Sequence, residues 1–291
     1  MSYAAHPPHR NRASRQQPQH GFTLIEAVMV IVLSGIVLAV VGKFIVAPVQ
    51  AYIAVSARAN LVDAADGALR RIGRDLHGAL PNSARATADG LSLELIPTTA
   101  AARFATDGTG ALQFGTTDTS FDVVGPGLAL TAGQAVVIYN LGTGVTGSDA
   151  YAANGTATEQ ASSNRRSTTN AAGTASTVGL SSLAGLPVAG LSAPYRVFAV
   201  NSPVTYRCDL TAGTLVRWTG YGFVASQPSP PSGGSSTVLA SGVTACRFSV
   251  DNAVIASRAG LAQMSLTLAT ATATATESVS LHHAVHIDNQ P

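Results

Sequence analysis

Charge is scarce in this chain: Asp, Glu, Lys and Arg together make up 11% of it, and aromatic residues only 5%. A sequence so lightly charged, yet 46% hydrophobic, is not a self-solvating disordered chain and has ample apolar residues for a core. Basic clusters are lacking as well. Arg10, Arg12 and Arg15 sit in the first 20 residues, leaving 14 basic against 15 acidic groups from Phe22 onward. That balance excludes the electrostatic footprint of a nucleic-acid binder. Catalytic signatures are missing too: the chain has no nucleophile elbow, no H-E-x-x-H and no conspicuous carboxylate pair. No catalytic residue, cofactor or metal is therefore expected, and a membrane-anchored enzyme is the weaker reading. Cysteine is almost absent. Cys208 and Cys246 are the two in the chain, both inside strand-like sequence, and a single disulfide in an oxidising compartment is the natural reading, with two reduced core thiols as the alternative.

What is abundant is one apolar run. Residues 22–42 are almost all apolar, and at about 1.5 Å per residue a helix of that length just crosses a bilayer's hydrocarbon core. The preceding 20 residues are polar, acid-free and carry three arginines, so the helix is expected to run from cytoplasm to periplasm through the inner membrane. Glu26 is the anomaly. An acidic side chain inside such a run costs about 2.5–3.5 kcal/mol at mid-helix on insertion scales, less near the interface, and such a cost usually marks a function. An ordinary secretory signal peptide and a plain uncleaved anchor both leave it unexplained.

The hexapeptide Gly21-Phe22-Thr23-Leu24-Ile25-Glu26 resembles the prepilin processing motif of the type IV pilin and type II secretion pseudopilin superfamily. The resemblance implies that a prepilin peptidase cuts after Gly21 and methylates the new N-terminus at Phe22. Glu26 then falls at the fifth mature position, where the family keeps a glutamate. Methylation preserves the positive charge of the amine. In a filament, Glu26 of one subunit would meet the Phe22 amine of a neighbour in a low-dielectric bundle and set the assembly register. The implied fold is α+β: a long N-terminal helix, transmembrane in its first half, packed on a β-rich head. The implied partners are the prepilin peptidase, other major and minor pilins, the inner-membrane assembly machinery and membrane lipid.

The spacing predicts a leader over residues 1–21, a helix over 22–80 with an amphipathic half over 49–80, and a head over 81–291. Val55, Val62, Leu69 and Leu76 recur every seven residues, with Tyr52, Ala59, Ala65, Ile72 and Ala79 beside them, so this half is expected to lie against a folded domain. Gly35 and Pro48 mark a span where the helix is expected to bend or unwind. The family's usual proline at the twenty-second mature position is replaced by Lys43.

Beyond 79–83 (ALPNS) the pattern changes to short alternating runs. Strands are expected at 91–97, 111–115, 135–141, 195–200, 204–210, 214–219, 243–250, 264–270 and 277–287, with a hairpin loop at 211–213. Residues 142–194, rich in Gly, Thr, Ser and Ala, and 227–236 (QPSPPSGGSS) are expected as long loops. Two motifs inside this region carry little. The G-x-G-x-x-G at 142–147 has no helix pattern after it, and His282 and His286 would lie about 13 Å apart on one strand face with His283 on the other, too far to share a metal ion.

Four stretches resemble the MSHA (mannose-sensitive haemagglutinin) pilus biogenesis proteins of the O type: 79–83, PVTYRC at 203–208, VTAC at 243–246 and HAVHIDN at 283–289. That likeness implies a minor pilin-like component of a type IV pilus. A larger, J-like minor pseudopilin of a type II secretion system, or a pilus-tip adhesin, is the alternative.

Overall fold

The structure is a computed structural model describing residues 21–187, 195–251, 259–273 and 275–288. The leader expected before Gly21 lies outside the described residues. The chain divides into two compact units, Met1–Tyr52 and Ile53–Pro291.

Helix α1 spans Leu24–His77. It runs without a break in assignment through Gly35 and Pro48, so the expected unwinding is not seen. Proline deletes one intrahelical hydrogen bond, and in a 54-residue helix the intact bonds on either side hold the segment helical. Residues 21–52 are exposed throughout.

In the second unit the helix buries one face: Leu61, Ala65, Ala68, Leu69, Ile72, Gly73 and Leu76. These positions follow the 3.6-residue period. Val55 and Val62, placed by the seven-residue reading on the same stripe as Leu69 and Leu76, are 65% and 37% exposed. A straight helix drifts by roughly 20° per heptad, which carries these valines off the packed face. The helix also stops at His77, three residues short of the expected end, and Leu80 is instead buried with Ile96, Val137 and Tyr151.

The head is built from sixteen described strands and one short helix. In chain order these are β1 (Arg85–Ala86), β2 (Ser92–Leu95), β3 (Thr98–Phe104), β4 (Ser120–Val124), β5 (Leu128–Leu130), β6 (Ala135–Ile138), α2 (Ala157–Gln160), β7 (Arg165–Thr168), β8 (Gly173–Ala175) and β9 (Thr177–Ser181). They continue as β10 (Arg196–Val200), β11 (Val204–Asp209), β12 (Thr214–Thr219), β13 (Ser235–Ser241), β14 (Val243–Asp251), β15 (Ala259–Ala271) and β16 (Thr276–Asp288). One sheet has the order β1-β2-β11-β12-β13, a second β14-β15-β16, and a closed barrel the order β10-β3-β4-β9-β7-β6. β5 and β8 form a separate pair.

Departures from the sequence reading concern the barrel and its surroundings, where β3, β4 and β5 fall on residues for which no strand was expected. Residues 142–182 contain α2, β7, β8 and β9, and β7 and β9 are staves of the closed barrel, so this stretch is no mere surface excursion. Residues 111–115 form no strand; Phe114 makes a single bridge to Leu186. β13 begins inside the second expected loop, at Ser235. Staves β7 and β9 are short and rich in Ser, Thr and Arg, which hides them from a search for apolar alternation. The most buried of these polar residues is Arg166, 1% exposed. Its guanidinium donates from Nη1 to the carbonyls of Ser163 and Arg165 and from Nη2 to those of Gln160, Ala184 and Gly185, which serve its two terminal nitrogens where no carboxylate stands, while the buried Nε has no partner among the described residues.

The main core joins the helix to both open sheets. Leu69, Ile72 and Leu76 of α1 pack with Leu93, Tyr206 and Leu215 of one sheet and Phe248, Met264, Leu266 and Val285 of the other. A disulfide between Cys208 on β11 and Cys246 on β14, with Cα atoms 6.4 Å apart, ties the two sheets together. Closing a loop of 38 residues stabilises the fold by about 3–4 kcal/mol in the chain-entropy model. The β11–β12 hairpin turns on Asp209, whose Oδ1 accepts the backbone N–H groups of Thr211 and Ala212, with Gly213 in the left-handed region at φ 63°.

A buried polar cluster fastens the 221–229 loop to the first sheet. Glu94 is fully buried, and its carboxylate accepts from Arg85 Nε at 2.6 Å and from the Tyr221 hydroxyl at 2.7 Å. The Arg85 guanidinium also donates to the carbonyls of Val224 and Ala225, and its Cζ sits 3.6 Å from the Tyr151 ring centroid. Burial pushes the Glu94 carboxyl up, against the pull of Arg85 and Tyr221.

Candidate processing and assembly segment

Helix α1 begins at a local signal. Thr23 precedes the first helical residue, and its Oγ1 accepts the backbone N–H of Glu26 at 3.3 Å, while its carbonyl accepts the N–H groups of Glu26 and Ala27. That is an N-cap, and Thr23-Leu24-Ile25-Glu26 has the T-x-x-E spacing of a capping box. The reading from sequence missed this cap, although the spacing alone signals it. An acid at the third helical position also favours the positive end of the helix dipole.

The cap places the Gly21–Phe22 peptide outside the helix. Neither residue is helical, both are exposed, and Phe22 is 79% so. A peptide bond in extended chain presents its carbonyl to an attacking protease, whereas one inside the helix has its carbonyl bonded four residues on. Gly21 and Phe22 thus form an exposed, non-helical bond, and Thr23 marks where the helix starts. Downstream, residues 24–42 hold no charge except Glu26, and α1 is long and apolar enough to cross a membrane.

Residues 17–42 match a family model described as the prokaryotic N-terminal methylation motif. The chain carries a type IV pilin-like prepilin signal. This signal implies processing by a prepilin peptidase and assembly with pilins. No curated protein and no solved structure matches the chain.

In the head, the end of α1 is held by charge as well as by packing. The Tyr206 hydroxyl donates to the Asp75 carboxylate, and Arg217 donates to the same oxygen from Nε at 3.3 Å and Nη2 at 3.1 Å. Burial and the Asp75 contact both push the Tyr206 phenol up. Further toward the N-terminal end, Arg58 pairs with Glu277 on β16 at 2.7 Å. Sequence reasoning found none of these partners, because they lie 131 to 219 positions apart.

The remaining motifs resolve simply. At 142–147 the loop's Gly144 N–H donates to the chain's own Asp149 Oδ2 at 2.8 Å, and the next helix starts only at Ala157. On β16, His282 and His286 are exposed, while His283 faces α1 beside Gly73. Among the described residues no group of three His, Cys, Asp or Glu side chains could hold a metal ion.

Proposed function

We propose that this protein is a minor pilin-like structural component that takes part in assembling or priming a type IV pilus of the MSHA type, after cleavage between Gly21 and Phe22. The observation that carries the reading is the N-terminal junction. An exposed, non-helical Gly21–Phe22 bond sits immediately before a Thr23-capped apolar helix, within the segment that matches the methylation motif. Cleavage there leaves a charged amine at the tip of an apolar helix, with Glu26 one turn away on the same segment. In a bundle of such helices the amine of one copy and the carboxylate of another neutralise each other away from water. The unburied residues 24–52 supply the packing surface, and the head supplies the contacts that determine which filament the helix joins.

Mass spectrometry of the mature N-terminus tests the processing step. The expected species starts at methylated Phe22; an intact Met1, or a start beyond Val41, overturns the reading. Deleting the gene and scoring surface filaments, secreted enzymes and attachment separately tests the assembly role. Loss of filaments is the expected result. Loss of secretion with filaments intact points to a type II secretion pseudopilin, and loss of attachment alone points to a tip adhesin.

A further inference from the structure

We propose that the outer face of the barrel carries a binding site for an oxyanion group, a carboxylate or sulfate on an organic ligand, formed by Arg103 and Arg196. The two arginines are direct cross-strand partners, Arg196 on β10 opposite Arg103 on β3. Both line one depression of about 390 Å³, walled on its apolar side by Ala101, Val124 and Pro126.

Like charges placed directly opposite on antiparallel strands repel, because such residues have Cα atoms only about 4.5–5.5 Å apart. Arg103 is exposed and Arg196 half-buried, whereas the more buried arginines of this head have partners: Arg85 has Glu94, Arg217 has Asp75, and Arg166 has five carbonyls. Arg103 and Arg196 have neither an ion pair nor a hydrogen bond from their side chains among the described residues. Residues 188–194, which precede this strand and lie outside the described residues, contain no acid that could serve.

The opposition is held in place by structure. Tyr195, immediately before Arg196, adopts a left-handed backbone at φ 56°, its carbonyl accepts the Phe104 N–H at 3.0 Å, and its ring meets the Phe104 ring at 6.0 Å. Tyrosine adopts that conformation only at a cost. The result is that Arg196 enters the strand directly facing Arg103. Two guanidinium forks on residues that line one depression match the two or more oxygens of a single oxyanion. Val124, 54% exposed beside them, gives the rest of such a ligand an apolar surface to lie against.

The test uses the full-length mature chain in an uncharged detergent, comparing wild type with Arg103→Gln and the Arg103→Gln/Arg196→Gln pair. Thermal unfolding and isothermal titration are run at constant ionic strength with sodium sulfate, D-glucuronate or N-acetyl-L-glutamate as probe. Without ligand, Arg103→Gln is expected to melt about 1–3 °C above wild type as the repulsion is relieved. With ligand, wild type is expected to be stabilised and the double variant to bind at least about tenfold more weakly. Glucuronate binding above that of the other two assigns a sugar acid, and acetylglutamate above the others assigns an acidic side chain. Equal responses of wild type and double variant to every probe, or an Arg103→Gln protein that melts lower than wild type without ligand, overturn the site.

Discussion

Tyr206 of the central sheet strand and Asp75 of the last helical turn, 131 positions apart, are joined by a hydrogen bond from phenol to carboxylate. Arg217 on the neighbouring strand donates to the same oxygen, so a single half-buried carboxylate holds the end of α1 against two strands. The acid is satisfied by two donors, one of them charged, which is the condition under which a half-buried carboxylate stabilises.

Alkali should loosen this junction. The folded protein holds Tyr206 protonated above its ordinary range, chiefly by burial and then by Asp75. Its contribution is therefore complete below the unfolded tyrosine pKa of about 10 and is lost as pH rises beyond it. Tyr206→Phe is expected to cost about 1–2 kcal/mol at neutral pH and to flatten the alkaline fall in stability. Urea denaturation between pH 7 and 11 reads both, and an unchanged alkaline limb would show that Tyr206 is not responsible.

Glu94→Ala should be among the most damaging single changes in the head. It leaves the Arg85 guanidinium, whose side chain is 10% exposed, without its carboxylate. Removing one partner of a buried pair costs about 3–5 kcal/mol. Because Arg85 also holds the carbonyls of Val224 and Ala225, the second expected effect is faster proteolysis within residues 221–234. Denaturation and limited proteolysis with mapped cleavage sites check the two effects independently.

Gly73→Ala should stabilise. Its Cβ would lie 3.5 Å from Val285 Cγ2 and 4.0 Å from a His283 ring carbon, ordinary contact distances, and the residue is helical. Replacing glycine by alanine in a helix interior gains about 0.8–1 kcal/mol. Gly67→Ala, which meets nothing within 4 Å, isolates the helix-propensity part of that gain. A loss of stability for Gly73→Ala alone would mean that β16 packs closer to the helix than described.

Glu26→Gln removes the charge and keeps the T-x-x-E/Q spacing of the helix N-terminus. Glutamine serves the capping box as well as glutamate does, but carries no charge for a neighbouring amine. The variant is expected to be processed normally at Gly21 and to fail to enter filaments, as judged by immunoblots of sheared surface fractions. Thr23→Ala tests the cap itself, with an expected cost to the helix N-terminus of about 1 kcal/mol. Normal filament incorporation of Glu26→Gln would remove the register argument.

The sequence made the N-terminal helix and the long strands legible for local reasons. β11, β12, β14, β15 and β16 alternate apolar and polar residues over six to thirteen positions, and alternation survives without tertiary context. β7, β8 and β9 do not. They run three to five residues each, and Arg166 sits where an apolar residue would be expected, made tolerable by the nearby carbonyls of Gln160, Ser163 and Arg165 together with those of Ala184 and Gly185 from beyond β9. In the candidate segment the acid was conspicuous because its surroundings are apolar, whereas the Thr23 cap, a three-residue spacing, was overshadowed by it. The charged anchors Asp75, Tyr206, Arg217 and Glu277 required distant pairings that no spacing rule supplies.

β16 follows the helix rather than crossing it. Arg58 meets Glu277 near one end of the contact, and His283 and Val285 lie over Gly73 near the other. Fifteen helical residues rise about 22 Å, and the seven or so strand residues that accompany them cover about 23 Å, so the two elements advance together in the same direction. Tension applied along residues 53–77 therefore loads this contact along its length, from the Arg58–Glu277 salt bridge to the packing over Gly73 and the Asp75 junction. Resistance to pulling is set by the barrier to breaking that contact. A head gripped this way is suited to a load delivered through its helix.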